Sequence, residues 1–186
     1  MYKKSHLRKK YKLLRKKKYF EINNFFFIPL FKKLKKKFKD KKINISIYYP
    51  SKFEINVLKI FELDFFLRNN ILLPKIFEKN LMKFYKWSNN DVLTINNYGL
   101  LEPLKSKEII PEVMLIPLLV FDKKKNRIGY GKGFYDRYLN RANKKIKNIM
   151  TIGVAFSFQK YNKLPTSKFD VKLDYILTER GLKKTQ

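Results

Sequence analysis

The run Arg127-Ile128-Gly129-Tyr130-Gly131-Lys132-Gly133-Phe134-Tyr135-Asp136-Arg137 concentrates residue types that can handle a charged ligand. Three of the chain's six glycines fall here, at alternate positions. Glycine lets the backbone approach a ligand closely and aim its N–H groups at an anion. Arg127 and Lys132 can pair with phosphate oxygens. Asp136 offers the oxygen ligand that a hard cation such as Mg²⁺ prefers. Between a strand and a helix, the loop also gains the partial positive charge of the helix amino end. The spacing is neither that of a Walker loop nor that of the dinucleotide fingerprint. A glycine-rich turn beside solvated surface charges would read the same, so the motif alone leaves both readings open.

The elements around this loop alternate. Leu7, Tyr11 and Leu14 form one apolar stripe among lysines, which predicts an amphipathic helix near the start. A second helix is expected over about Phe25 to Lys39, with Leu30, Phe31, Leu34 and Phe38 on one face. The period then changes to two: Ile43 to Tyr49 predicts a strand ending at Pro50. Helical spacing returns over Ile55 to Leu67. Ile71–Pro74 and Leu81–Trp87 predict short strands, and Val113-Met114-Leu115-Ile116-Pro117 reads as a strand buried on both faces. A helix from Phe134 to Arg141, a strand over Ile149–Phe156 and another over Tyr175–Thr178 complete the series. Residues 88–111 carry no period. Strands alternating with helices predict an α/β fold: one mostly parallel central sheet with helices on both faces, a Rossmann-like open sheet. We expect a single domain over 1–186, with a basic helical segment at about 1–42 packed on it. Ligands in such sheets bind beyond the carboxyl ends of the strands.

The formal net charge of +29 suggests nucleic acid. Residue usage argues for a different origin. Lys, Asn, Ile, Phe and Tyr are enriched together and share A/T-rich codons, whereas alanine, with G/C-rich codons, occurs only at Ala142 and Ala155. Coding bias accounts for all five, nucleic-acid binding for lysine alone. Arginine, the better residue for phosphate forks and base edges, is scarce. A basic nucleic-acid-binding module therefore stands as the alternative reading. No cysteine is present, which excludes disulfides, thiolate metal sites and a cysteine nucleophile. No secretory pattern and no membrane-spanning run is apparent, so a soluble, cytoplasmic monomer is expected, without membrane or specific nucleic-acid partners.

The motif's neighbourhood is more specific than the motif. Ile116-Pro117-Leu118-Leu119-Val120-Phe121-Asp122, followed by the run Asn126 to Leu139 that contains the glycines, resembles the signature of the 5-formyltetrahydrofolate cyclo-ligase family. Lys4-Ser5-His6-Leu7-Arg8 is similar to that family's short ATP-binding element on the first helix, although His6 is given no chemical role. Tyr49-Pro50 with Glu54 resembles the turn that contacts the folate. Met82, Phe84 and Tyr98, with Gly99-Leu100-Leu101-Glu102-Pro103, resemble the walls of the pterin pocket. Asp170-Val171-Lys172-Leu173-Asp174 resembles the family's second acidic position. The likeness runs from about residue 4 to about 179. The chain departs from the family's frequent residues at Ser157, Ser167 and Phe169.

The resemblance implies an enzyme that uses ATP and Mg²⁺ to convert 5-formyltetrahydrofolate to 5,10-methenyltetrahydrofolate, releasing ADP and phosphate. It implies ATP contacts from Lys4, Ser5, His6, Leu7 and Arg8 and from Arg127, Ile128, Gly129, Tyr130, Gly131, Lys132, Gly133, Phe134 and Tyr135. Folate contacts would come from Tyr49, Glu54, Met82 and Tyr98 and from the loop residues 130–134. Arg127, Lys132 and Asp136 would carry catalysis, and Asp136 and Asp174 would hold the metal.

Overall fold

The computed structural model describes residues 3–145 and 149–184. Its centre is a seven-stranded sheet in the order β11-β10-β9-β6-β1-β2-β3. These strands are β1 (Asn44–Ser46), β2 (Asn70–Phe77), β3 (Leu81–Lys86), β6 (Val113–Pro117), β9 (Met150–Val154), β10 (Tyr175–Thr178) and β11 (Gly181–Lys184). The pairs β2–β1, β1–β6, β6–β9 and β9–β10 are parallel. Only the outer pairs, β2–β3 and β10–β11, are antiparallel. Two small hairpins lie outside the sheet: β4 (Leu93–Ile95) with β5 (Leu101–Pro103), and β7 (Val120–Phe121) with β8 (Arg127–Ile128).

The strand residues alternate between two cores, as the two-residue period requires. Ile45, Leu73, Val113, Leu115, Ile152, Val154 and Leu177 face a core capped by Phe27, Leu30 and Leu34, from the turn and helix α2 (Ile28–Phe38). Leu72, Met114, Ile116 and Ile176 face the opposite core, capped by Tyr138, Leu139 and Ala142 of α4 (Phe134–Lys145). Both faces of the parallel strands are thus covered, which is why β6 reads as an unbroken apolar run. Helix α1 (Lys4–Lys18) packs Leu7 and Tyr11 against Leu119, Val120, Ile128 and Leu164, which pins it to the β7–β8 hairpin. It ends where Tyr19 turns extended, and Arg15 to Lys18 fill its last turn, favourable to the negative end of the helix dipole.

Several local expectations change. The stretch 55–67 is not one helix but a 3₁₀ segment, Val57–Glu62, and one α-turn, α3 (Asp64–Leu67), because Leu63 between them is extended. Of the expected 43–49 strand only Asn44–Ser46 forms β1, paired throughout with β2, and only Ile45 and Ser46 pair with β6 as well. β2 runs through Pro74, where the sequence predicts a strand end. Pro74 is tolerated because β1 pairs with β2 only as far as Leu72, leaving β3 as the sole neighbour at that point. The sequence predicts no strand at β4, β5, β7 or β11, which the structure adds.

Sheet order reverses direction between β1 and β6. From β1 the chain proceeds outward through β2 and β3; from β6 it proceeds the other way through β9 and β10. The crevice beyond the carboxyl ends of those two strands is where an open α/β sheet accepts ligands.

Candidate active site

A cavity of about 580 Å³ opens at that reversal, lined by Tyr48 and Tyr49 after β1 and by Pro117 at the end of β6. The glycine loop forms one wall. It joins β8 to α4 as the motif implied, and Gly131 and Gly133 adopt φ of +107° and +68°. L side chains avoid both conformations. A Cβ on Gly131 would also stand 3.2 Å from the Arg8 guanidinium carbon. Arg8 lies across the loop and donates from Nε to the Gly129 carbonyl at 2.9 Å. Below the loop, the buried Asp122 carboxylate accepts from the Lys124 and Asn126 amides, the Asn126 side chain and the Leu164 amide, fixing the β7–β8 turn.

Arg127 leaves β8 buried. It donates Nη2 to Asp136 Oδ1 at 2.7 Å and Nη1 to the Val171 carbonyl, while the Val171 amide donates to the same Asp136 oxygen at 3.1 Å. Burial pulls the Arg127 guanidinium below its ordinary value, an effect that Asp136 and Asp170 oppose. Lys4 pairs with Asp170 at 2.5 Å. Burial pushes the Asp170 carboxyl up, but the donors from Lys4 and Ser167 outweigh it, and the net shift is down.

At the other side of the cavity, Glu54 is buried. Its Oε2 accepts from the Ser51 amide at 2.8 Å and its Oε1 from the Tyr130 hydroxyl. Arg15 Nη1 stands 3.8 Å from that Oε1. Tyr130, Tyr135 and Tyr48 are all held above their ordinary values, by burial first and the Glu54 carboxylate second, so their hydroxyls stay protonated donors. The remaining wall is apolar: Met82, Leu100 and Phe134 line it with Tyr98. Tyr98 packs edge-on to Phe134 at 5.6 Å and carries the Lys132 ammonium 5.1 Å from its ring centroid. Glu102 lines this wall too, accepting from the Ile76 amide at 2.8 Å and from Asn96, which ties the β4–β5 hairpin to β2.

The structure brings together Lys4, Arg8, Tyr49, Glu54, Met82, Tyr98 and 127–136, all of which line the cavity. It does not bring in Ser5, His6 or Leu7. Residues 4 and 8 share a helix face, whereas Ser5 and His6 are exposed off that face and Leu7 is in the core. Asp174 is also apart. Its Oδ2 accepts from the Thr151 amide and hydroxyl at 2.8 and 2.9 Å, at the amino ends of β9 and β10, and it lines a separate depression with Glu112 and Lys184. The structure therefore does not bring Asp174 beside Asp136; the aspartate that shares this cavity with Asp136 is Asp170. Asp170 belongs to the same acidic segment, four residues before Asp174. Glu102, part of the expected pocket-wall segment, does line the cavity, whereas Arg15 is a contributor that the sequence does not single out. Arg15 had a signal, being an arginine in register with Lys4 and Arg8 within a run of lysines.

Three or more clustered carboxylate or imidazole groups do not occur among the described residues. A dedicated protein cage for a divalent ion is therefore absent there. The donor set fits the other style of magnesium binding, one or two carboxylates plus phosphate oxygens, with Asp136 and Asp170 on the same cavity as four cations. No helix among the described residues is long and apolar enough to cross a membrane.

An open α/β sheet with a glycine loop, facing cations and an apolar wall at its switch point defines a small-molecule enzyme that handles an anionic ligand. The chain belongs to the 5-formyltetrahydrofolate cyclo-ligase family, whose pattern matches residues 2–179. It is similar to the 5-formyltetrahydrofolate cyclo-ligase of Haemophilus influenzae, at 33% identity over 72% of this chain and 74% of that one. The Mycoplasma genitalium 5-formyltetrahydrofolate cyclo-ligase is 36% identical over 72% of this chain and 71% of its own. Among solved structures, Aquifex aeolicus 5,10-methenyltetrahydrofolate synthetase superposes with a TM-score of 0.74 at 30% identity, covering 98% of this chain and 93% of that one.

Proposed function

We propose that this chain converts 5-formyltetrahydrofolate to 5,10-methenyltetrahydrofolate with ATP and Mg²⁺, releasing ADP and phosphate. One observation carries the reading. A single cavity is lined by four cations and a glycine loop together with apolar and aromatic side chains and a buried carboxylate. That combination suits a polyphosphate meeting a flat, partly apolar ring system.

The formyl group on N5 is an amide, a weak electrophile whose oxygen does not leave. When bound, ATP supplies the phosphoryl group that makes this oxygen a leaving group, and Mg²⁺ offsets the charge of the transfer. The protein's contribution is positioning and charge balance. Lys4, Arg8, Arg127 and Lys132 balance phosphate charge, and the glycine loop 129–133 lines the same cavity. Asp136, oriented by Arg127 and the Val171 amide, is the carboxylate that would hold the metal, with Asp170 its neighbour. Glu54 accepts hydrogen bonds from the folate, while Tyr49, Met82, Tyr98, Tyr130 and Phe134 enclose its rings and keep water from the reacting carbon. The reading is of one cyclo-ligase domain, since one sheet carries both core faces; a cytoplasmic monomer belongs to the same proposal.

The test is direct. Purified protein with 5-formyltetrahydrofolate, ATP and Mg²⁺ should produce the methenyl-folate absorbance, and omission of ATP or chelation of the metal should abolish it. Folded protein that gives no signal would overturn the reading.

A further inference from the structure

Three cationic side chains lie along one face of α1. Lys4, Arg8 and Arg15 are four and seven residues apart, which at about 100° per residue puts them within about 40° of one another. The first two reach the cavity, Lys4 through Asp170 and Arg8 through the Gly129 carbonyl. Arg15 does not line the cavity and is only 6% exposed.

A guanidinium withdrawn from water is unfavourable unless its charge is answered. Here the answer is Glu54, itself 6% exposed, whose Oε1 lies 3.8 Å from Arg15 Nη1. The Arg15 guanidinium also stands over the Tyr130 ring, 5.6 Å from its centroid. Arg15 Nε has no hydrogen-bond partner among the described residues, so packing alone does not account for placing an arginine here. The other groups that interact with Glu54 are Tyr48 after β1, Tyr130 in the loop and Tyr135 at the start of α4, while Lys12 of α1 holds its ammonium 5.7 Å from the Tyr130 ring. Arg15 is the cation that meets the Glu54 carboxylate directly.

We propose that Arg15 is a positioning residue for the cyclisation, balancing the buried Glu54 carboxylate and clamping it, with Tyr130, in the orientation that receives the folate. One helix then serves both ends of the site, its amino end toward the phosphates and its last turn toward the folate. The proposal rests on reading Glu54 as a folate contact.

The test measures binding of 5-formyltetrahydrofolate and of ADP with Mg²⁺ separately, by calorimetric titration, alongside KM for each substrate. The proteins are wild type, Arg15→Met, Arg15→Lys, Glu54→Gln and the two Glu54→Gln doubles. Arg15→Met should weaken folate binding about tenfold while leaving the nucleotide within about twofold, the size of losing one charge-assisted contact. Arg15→Lys, which keeps the charge without the planar fork, should fall between Arg15→Met and wild type. In the Glu54→Gln background either Arg15 change should have little further effect. Equal weakening of both ligands, unchanged folate affinity, or additive effects with Glu54→Gln would overturn the proposal. If Arg15→Met loses its cooperative unfolding transition, the Arg15→Lys and Glu54→Gln cycle decides by the same criterion. Wild type that binds folate without turnover refutes the cyclisation reading and leaves this comparison decisive. Wild type that binds no folate overturns both.

Discussion

Replacing Asp136 with asparagine separates the chemistry of this site from its architecture. Asp136 Oδ1 accepts two hydrogen bonds, from Arg127 at 2.7 Å and from the Val171 amide at 3.1 Å. Asparagine presents a carbonyl oxygen at the same place and keeps both bonds, but as neutral ones. Removing the partner of a fully buried ion costs about 3–5 kcal/mol. Three features reduce that figure here. The Asp136 side chain is 28% exposed, both bonds survive, and Asp170 remains near the guanidinium. We expect destabilisation of about 1–3 kcal/mol, read as a shifted urea midpoint at constant slope. A protein of this size, with stability of about 5–15 kcal/mol, tolerates that loss and folds. Turnover should fall by about 100-fold or more, since preorganised charge at the transferring group is worth that much. The apparent Mg²⁺ requirement should rise with it. Near-normal turnover in folded Asp136→Asn, with unchanged Mg²⁺ dependence, would refute the metal assignment.

Gly131→Ala should cost about 1–3 kcal/mol from backbone strain at φ +107° and weaken nucleotide binding by displacing Arg8, measured by denaturation and ADP titration. The Lys4–Asp170 pair predicts a pH signature. The Asp170 carboxyl is depressed in the folded state, so its contribution is present above the ordinary carboxylate value of about 4 and is lost as pH falls through the lower folded value. Lys4→Met should flatten that acid limb of the stability curve, and because both side chains are partly exposed the effect at neutral pH should be under about 1 kcal/mol. An unaltered limb would rule the pair out. Binding to RNA or DNA, driven by the +29 net charge, should collapse between about 50 and 200 mM salt; tight binding that survives would favour the nucleic-acid alternative.

Much of this protein was legible without coordinates because its signals are local. The unbroken apolar run at 113–117 announces a strand buried on both faces, the stretch 149–156 announces another strand, and the alternation with amphipathic stretches announces an open α/β sheet. The glycines at 129–133 declare a loop, since the positive φ at Gly131 and Gly133 is a property of those residues. Other features were not local. The order of strands, and hence the switch point that makes the cavity, depends on pairings between residues such as Ile45 and Val113, far apart in the chain. Which acid joins Asp136 is decided by the chain's path: Asp174 precedes β10 at the amino edge of the sheet, while Asp170 returns past Arg127 on the cavity side. The two carboxylates lie four residues apart in one signature, and spacing could not distinguish them. Arg15 was one cation among many in a basic helix until tertiary packing buried it against Glu54. Residue type and spacing determine what a segment can do; only the fold decides which of those capacities meet across a distance short enough for charge and hydrogen bonding to act.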